Sequence, residues 1–193
     1  MPTERRIEKI TRVLQHRQLD LTVICENIHD PHNVSAILRT CDAAGVWGVH
    51  LLYTHETFPE LGKKSSASAK KWIAIERHRS YAEVQQVLHQ RGFRIFATHL
   101  GKDAISIYDV DWTQPAAIIV GNEHRGVSEE AVAIADANVY IPQFGMVESL
   151  NVSVATAIIL YEAVRQRLQA GKYPNPNLDP HWVETTRNAW LNK

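Results

Sequence analysis

Three short stretches concentrate the side chains that could bind or transform a polar substrate. They are HNVSAILRT (32–40) with Asn33 and Arg39, GNEHRG (121–126) with Glu123, and the turn heading IPQFGMVESLNVSVATAIILYEAVRQRL (141–168) with Glu148, Ser149 and Asn151. An arginine grips a phosphate through two parallel N–H bonds. Glu123, closing an apolar run, would set a carboxylate at the ligand end of a strand. Amide, hydroxyl and free N–H groups crowded at a helix start suit a polar or anionic ligand group. Each residue also has a purely structural use. Asn33 could be a helix N-cap, Arg39 a partner of Asp42 three residues on, and Glu123 a cap or a partner of Arg125. Ser149 or Asn151 could cap the helix that follows.

Other chemistries find no support. His29 and His32 in HDPH offer two imidazoles without a matching carboxylate–histidine set, so no metal site is expected there. There is no GxSxG, and neither Cys25 nor Cys41 has a recognisable histidine partner motif, which leaves acyl transfer through a covalent intermediate without a nucleophile. Asn27 to Asn33 contains no GxGxxG, and Gly121-x-x-x-x-Gly126 lacks the Lys-Ser/Thr of a phosphate loop.

The elements that must position these residues follow from periodicity. Residues 3–16 read as an amphipathic helix, with Ile7, Ile10, Val13 and Leu14 at helical spacing. LTVICENI (21–28) is an apolar β-rich run, as in a strand buried on both faces. A helix after Pro31 turns Val34, Ile37, Leu38 and Cys41 inward, and Gly45 ends it. Further strands are expected at 49–53, 72–76, 93–100, 116–123 and 138–142, and residues 54–70 form a long loop. Ser80 with Glu83 reads as a capping box over Val84, Val87 and Leu88, and Ser128 starts another helix. Asp179-Pro180 opens a last one. Strands alternating with helices give an α/β fold, a mostly parallel sheet covered on both faces. Ligands of such sheets sit beyond the carboxyl ends of the strands, which selects the loops at 98–100, 121–123 and 142–149.

The chain has 193 residues, 45% hydrophobic and 22% charged, enough for one well-buried domain, or one domain with small appendages. The N-terminus is charged and periodic, unlike a secretory signal, and the most apolar run (152–161) is far short of a membrane span. Two cysteines are too few for a disulfide framework, so a cytoplasmic location without membrane association is expected. Formal net charge is zero, yet Arg5, Arg6, Lys9, Arg12 and Arg17 crowd the N-terminus, and Arg165, Arg167 and Lys172 lie near the other end. Such local stripes suit phosphate backbones as well as ordinary solvated helix faces.

Taken in order, HNVSAILRT, IIVGNEHRGVSEEA (118–131) and IPQFGMVESLNVSVATAIILYE (141–162), with ENIHDPHN before and ATHL between, resemble the SPOUT superfamily of RNA methyltransferases. The resemblance covers essentially Leu19 to Leu168 and is nearest to the bacterial tRNA (guanosine-18) ribose 2′-O-methyltransferases. LDPHWVETTRNAWLNK resembles the short C-terminal extension of some of these enzymes. The resemblance implies a basic helical extension at 1–18, a methyltransferase domain at 19–170 with a deep C-terminal trefoil knot, and a helical extension at 171–193. It implies a homodimer packed through the helix after SLNVS. It also implies S-adenosyl-L-methionine as methyl donor, held at Thr98, Leu100, Gly121, Ile141, Ser149 and Leu150, with no metal required. Catalytic or substrate-positioning roles fall on Asn33, Arg39, Glu123, Ser149 and Asn151.

The activity so implied is methylation of the ribose 2′-hydroxyl of guanosine 18 in the tRNA D-loop. The alternatives are the same chemistry on another RNA position, such as ribosomal RNA, or a non-catalytic RNA-binding factor retaining the fold. An arginine is effectively always protonated, so a phosphate paired to Arg39 would position the hydroxyl while another acceptor takes its proton. The N-terminal helix, the KKSSASAKK loop (63–71) and the C-terminal segment are the expected tRNA contacts.

Overall fold

The structure is a computed structural model that describes residues 2–60 and 69–193. In chain order its elements are α1 (Glu4–Gln15), β1 (Gln18–Glu26), α2 (Pro31–Ala43), β2 (Val46–Leu52), α3 (Ala69–Trp72), β3 (Ala74–His78) and α4 (Tyr81–Gln90). Then follow β4 (Arg94–Thr98), β5 (Ile105–Ser106), β6 (Ala116–Val120), α5 (Glu129–Ile134), β7 (Ala137–Tyr140), α6 (Val152–Gln169) and α7 (Pro180–Leu191). The strands form one seven-stranded sheet in the order β3-β2-β1-β6-β4-β7-β5. Every pairing is parallel. The expected strands are all present. The seventh, β5, is a two-residue strand too short to carry a periodic signal. KKSSASAKK lies outside the described residues except for Ala69–Lys71, which begin α3.

Alternation along the central strands sorts the core into two layers. Leu21, Val23 and Cys25 of β1 and Ala116, Ile118 and Val120 of β6 face α2 and α6, which contribute Val34, Ile37, Leu38, Cys41, Ile159, Leu160 and Ala163. Ile24, Ala117 and Ile119 point the other way, onto Val84 and Leu88 of α4 and Ala131 of α5. Strands buried on both faces need no polar residue, which explains the near-continuous apolar runs. Helix starts follow the expected caps at Ser80, Ser128 and Asp179. The capping box at Ser80 is only half made. The Ser80 hydroxyl accepts from the Glu83 N–H, but the Glu83 carboxylate turns to His78 Nδ1 at 3.2 Å. Gly45, at φ +76°, is held where a Cβ would come within 2.7 Å of the His16 carbonyl, so this turn admits only glycine.

The two chain ends meet. Ile10 and Leu14 of α1 and Trp190 of α7 pack with Trp47, Trp72 and Trp182. Trp47 stacks on Trp190 at 5.9 Å between ring centroids and meets Trp182 edge-on at 4.8 Å. Of the basic residues noted in the sequence, Arg5, Arg6, Lys9 and Arg12 are exposed along α1. Arg17 is fully buried, bonded to the Asp42 carboxylate and the Val46 carbonyl, and thus does not belong to a solvated stripe. The C-terminal set is likewise engaged: Arg165 pairs with Glu162, and Arg167 and Lys172 both pair with Asp20.

Arg167 is the tightest of these junctions. Its buried guanidinium donates to the Asp20 carboxylate, Gln18 Oε1, and the carbonyls of Trp112, Asp20 and Gln114. The last turn of α6 is thereby fixed to the start of β1 and to the segment entering β6. Burial alone would raise the Asp20 pKa, but the bonds and charges of Arg167 and Lys172 hold it below the ordinary carboxylate value. Removing one partner of such a set strands the others in a dry place, at about 3–5 kcal/mol. Arg167→Met is therefore expected to lower the free energy of unfolding in urea by about that amount at neutral pH. A loss of only a few tenths would mean that the clamp is redundant.

Candidate active site

The loops selected as ligand-binding follow β4, β6 and β7, and the sheet sets those three strands side by side. Their carboxyl ends open into a cavity of about 1050 Å³. Thr98, Leu100, Gly121, Glu123, Ile141, Ser149, Leu150 and Asn151 all line it. Val120, Val139 and Ile159 give it an apolar floor, and Glu148 adds a carboxylate.

Gly121 explains how the middle loop is shaped. The chain leaves β6, turns back, and bridges Asn122 to Gly126, with the Gly126 N–H donating to the Asn122 carbonyl at 2.8 Å. A Cβ at Gly121 would sit 2.3 Å from the Gly126 carbonyl and the Val127 nitrogen. The hairpin closes only because that atom is missing. Its rim, His124 and Arg125, is exposed.

Hydrogen bonds join all three sequence stretches. Asn33 Nδ2 donates to Glu123 Oε1 at 2.8 Å, and Asn151 Nδ2 donates to Asn33 Oδ1 at 3.1 Å. The backbone N–H groups of His29 and Asp30 donate to the same carboxylate at 3.0 and 3.2 Å. Asn151 Oδ1 accepts from the Ser153 N–H and hydroxyl, so Asn151 is also the N-cap of α6. Ser149 is exposed beside it and does not cap. Asn33 is not a cap either. Asp30 caps α2 by accepting from the His32 N–H, with Pro31 in the first turn. Asn33 is thereby released to link Glu123 with Asn151. Burial would raise the Glu123 pKa, but the bonds from Asn33 and from backbone N–H groups outweigh it and hold the carboxyl below its ordinary value. Glu123 is not paired with Arg125.

Two predicted site residues lie outside the lining: Asn33, which is bonded to the lining residues Glu123 and Asn151, and Arg39, which has no such link. Arg39 is exposed on α2, and among the described residues its guanidinium has no carboxylate partner. Asp42, its expected ion-pair partner, is taken by Arg17 at 2.5 Å.

Two organising residues escaped the sequence reading. Asn27, fully buried at φ +46°, accepts from the N–H groups of Thr54, His55 and Glu56, while its carbonyl accepts from Asn122 Nδ2 at 2.7 Å. The pair ties the Glu123 loop to the loop after β2. The available signal was an asparagine just past each of two apolar strands, the residue type that best tolerates a left-handed backbone.

The model of the SpoU rRNA Methylase family matches residues 20–161. A tRNA (guanosine(18)-2'-O)-methyltransferase of Thermus thermophilus is 49% identical over 99% of this chain and 98% of its own. The crystal structure of the TrmH/SpoU tRNA modifying enzyme of A. aeolicus is similar with a TM-score of 0.90 and 40% identity, covering 98% of this chain and 96% of that one. The SpoU methyltransferase AviRb from Streptomyces viridochromogenes, in complex with the cofactor AdoMet, has a TM-score of 0.69 and 29% identity over 78% of this chain and 59% of its own.

The hydrogen bonds on Glu123 have a pH signature. A carboxyl held below its ordinary value of 4.5 stabilises the fold at every pH above that value, and the contribution fades as pH falls through the lower native pKa. Glu123→Gln leaves a backbone donor facing an amide N–H, at about 1–2 kcal/mol. Unfolding free energies measured against pH should differ by a constant amount near neutrality and converge under acid. A gap that widens on acidification would contradict the assignment.

Proposed function

The chain belongs to the SpoU methylase family, and on that premise we propose that it transfers a methyl group from S-adenosyl-L-methionine to the ribose 2′-hydroxyl of guanosine 18 in tRNA. The observation that carries this reading is the chain of side chains Glu123–Asn33–Asn151 at the mouth of the strand-end cavity. It holds amide and carboxylate groups rigid where a polar acceptor must be aligned.

The cavity fits the donor. Its volume suits a nucleoside carrying an amino-acid tail. Ile141 and Leu150 offer apolar walls for a base, the backbone at Thr98, Leu100 and Gly121 offers polar groups at close approach, and Glu148 offers a charge to a cation. When bound, the donor supplies an electrophilic methyl group on a sulfonium centre. The protein then has to align the hydroxyl and manage its proton. Ser149 and Asn151 border the cavity and orient the acceptor. Glu123, already accepting three bonds, fixes Asn33 in place and leaves deprotonation to a further acceptor. Arg39 takes a phosphate of the RNA, and because it lies outside this cavity it acts on substrate held above the rim or on the site of a second copy.

The assembly we propose is a homodimer through α6. Val154, Tyr161 and Leu168 are 47, 53 and 56% exposed at a spacing of seven, an apolar stripe along the helix face turned from the sheet. We read the chain after β7 as threaded into the trefoil knot. In support, Gln166 and Arg167 bond to the backbone at Val110, Trp112 and Gln114, within the connection between β4 and β6. The methyltransferase domain spans 19–170, and the extensions 1–18 and 171–193 join at the tryptophan cluster to present the α1 cations to tRNA. No helix among the described residues is long and apolar enough to cross a membrane.

Incubation with labelled donor and unmodified tRNA transcripts, followed by mapping of the methylated ribose, tests the reading. Label is expected at guanosine 18, and Arg39→Ala and Asn33→Ala should lower kcat/KM by about 10²–10⁴-fold with donor binding preserved. Label at another nucleotide would overturn the substrate, and near-normal rates in Arg39→Ala would overturn its role.

A further inference from the structure

Two imidazoles and a carboxylate meet away from HDPH, at the edge of the sheet. We infer that His50, Glu76 and His78 form a binding site for a divalent transition-metal ion, zinc foremost, that staples β2 to β3 at the edge of the sheet. His50 lies opposite Glu76 in the β2–β3 register, and His78 is two residues further along β3, so all three side chains share one sheet face. That face is covered by α4. His50 Nδ1 and His78 Nε2 are 3.0 Å apart, His50 Nδ1 and Glu76 Oε2 are 4.0 Å apart, and ligand atoms of the three residues lie within 4.8 Å of one another.

These distances are close to those of a coordination shell. With metal–nitrogen bonds of about 2.0–2.1 Å, tetrahedral ligand atoms sit roughly 3.3 Å apart. Closure asks the nitrogen pair to open by about 0.3 Å, Glu76 Oε2 to approach His50 by about 0.7 Å, and the widest pair of ligand atoms to close by up to about 1.5 Å, which side-chain rotation can supply. Glu83 lies 3.2 Å from the remaining ring nitrogen of His78, out of line for a hydrogen bond there but within a small rotation of the place from which a carboxylate orients a metal-bound imidazole. Arg91 grips both oxygens of Glu76, Oε1 at 2.7 Å and Oε2 at 3.0 Å, and orients the carboxylate with Oε2 facing His50 at 4.0 Å, so a metal would share Oε2 with the guanidinium. Glu83 supplies a second carboxylate beside the cation, since the charge of Glu76 is already shared with Arg91. The imidazoles are only 5 and 4% exposed, whereas Glu76 is 42% exposed, so the carboxylate edge is the way in and the place for a water as fourth ligand. Two imidazoles and a carboxylate favour zinc over the hard alkaline-earth cations.

Without a metal the pair is satisfied only in part: one ring donates a single N–H to the other, and His78 Nδ1 has no hydrogen bond of good geometry. A plain buried histidine pair and a metal site make different predictions. The test uses the full-length protein, stripped of metal and titrated with zinc by calorimetry and with cobalt by visible absorption, alongside thermal unfolding. One equivalent should bind, the cobalt form should show the absorption of a four-coordinate nitrogen–oxygen site, and Tm should rise with free zinc. Glu76→Ala should abolish the cobalt spectrum. Glu83→Gln, at a half-exposed position on α4, should weaken zinc by about 10–100-fold and gives the same readout should His78→Asn fail to fold. A His29→Ala/His124→Ala variant should bind as the parent does. Absence of a single tight equivalent, binding indifferent to Glu76 and Glu83, or binding lost with His29 and His124 would each overturn the proposal.

Discussion

A fully buried arginine governs how this chain closes on itself. Arg167 cannot reach water, so its five N–H groups must be met by protein oxygens, and they are met by groups from the start of β1 and from the segment before β6. Charge in a low-dielectric place tolerates little displacement. The last turn of α6 is therefore set relative to the sheet, and with it the N-terminal end of the same helix, where Asn151 reaches Asn33. A rigid helix some eighteen residues long connects a structural clamp at one end with a polar constellation at the other. Arg17 repeats the device with Asp42 where α1 enters β1.

The constellation itself shows how one residue type takes different duties by position. Asp30, Asn33, Asn122, Asn151 and Asn27 are all short polar side chains near helix or strand ends. Asp30 and Asn151 cap helices, Asn122 and Asn27 knit loops, and Asn33 joins the carboxylate to the second cap. Because Asn151 caps and points at Asn33 at once, the start of α6 and the position of its amide are set together. In the loop between β7 and α6, Phe144 and Met146 stand almost fully exposed.

Much of this was legible in the sequence. Apolar runs such as LTVICENI gave the strands, and Val34, Ile37, Leu38 and Cys41 are all buried as the helical spacing requires. Strand-end logic alone picked out the loops that line the cavity. Residue type alone does not say which of two neighbouring Asx residues caps α2. Pro31 in the first helical turn was the clue, since it puts the cap one residue earlier. Nor could charge type separate Arg17 and Arg167 from the exposed cations of α1, because burial of an arginine is decided by partners far along the chain. The meeting of His50 with Glu76 and His78 depends on the register of two parallel strands, which no local pattern encodes. Arg39 is the reverse case: a motif residue that the sequence assigns to the site and the fold leaves in solvent.

The tryptophans carry a practical consequence. Four of the five sit where α1 and α7 meet the body of the protein, and the fifth, Trp112, is sealed in the core with its indole N–H bonded to the Ile107 carbonyl. Intrinsic fluorescence of this chain is thus dominated by the junction of its two ends, while circular dichroism reports the whole helix and strand content. An emission change seen on mixing with nucleic acid or denaturant speaks first of that junction. Agreement between the two optical signals becomes a direct measure of whether the termini and the sheet behave as one cooperative unit.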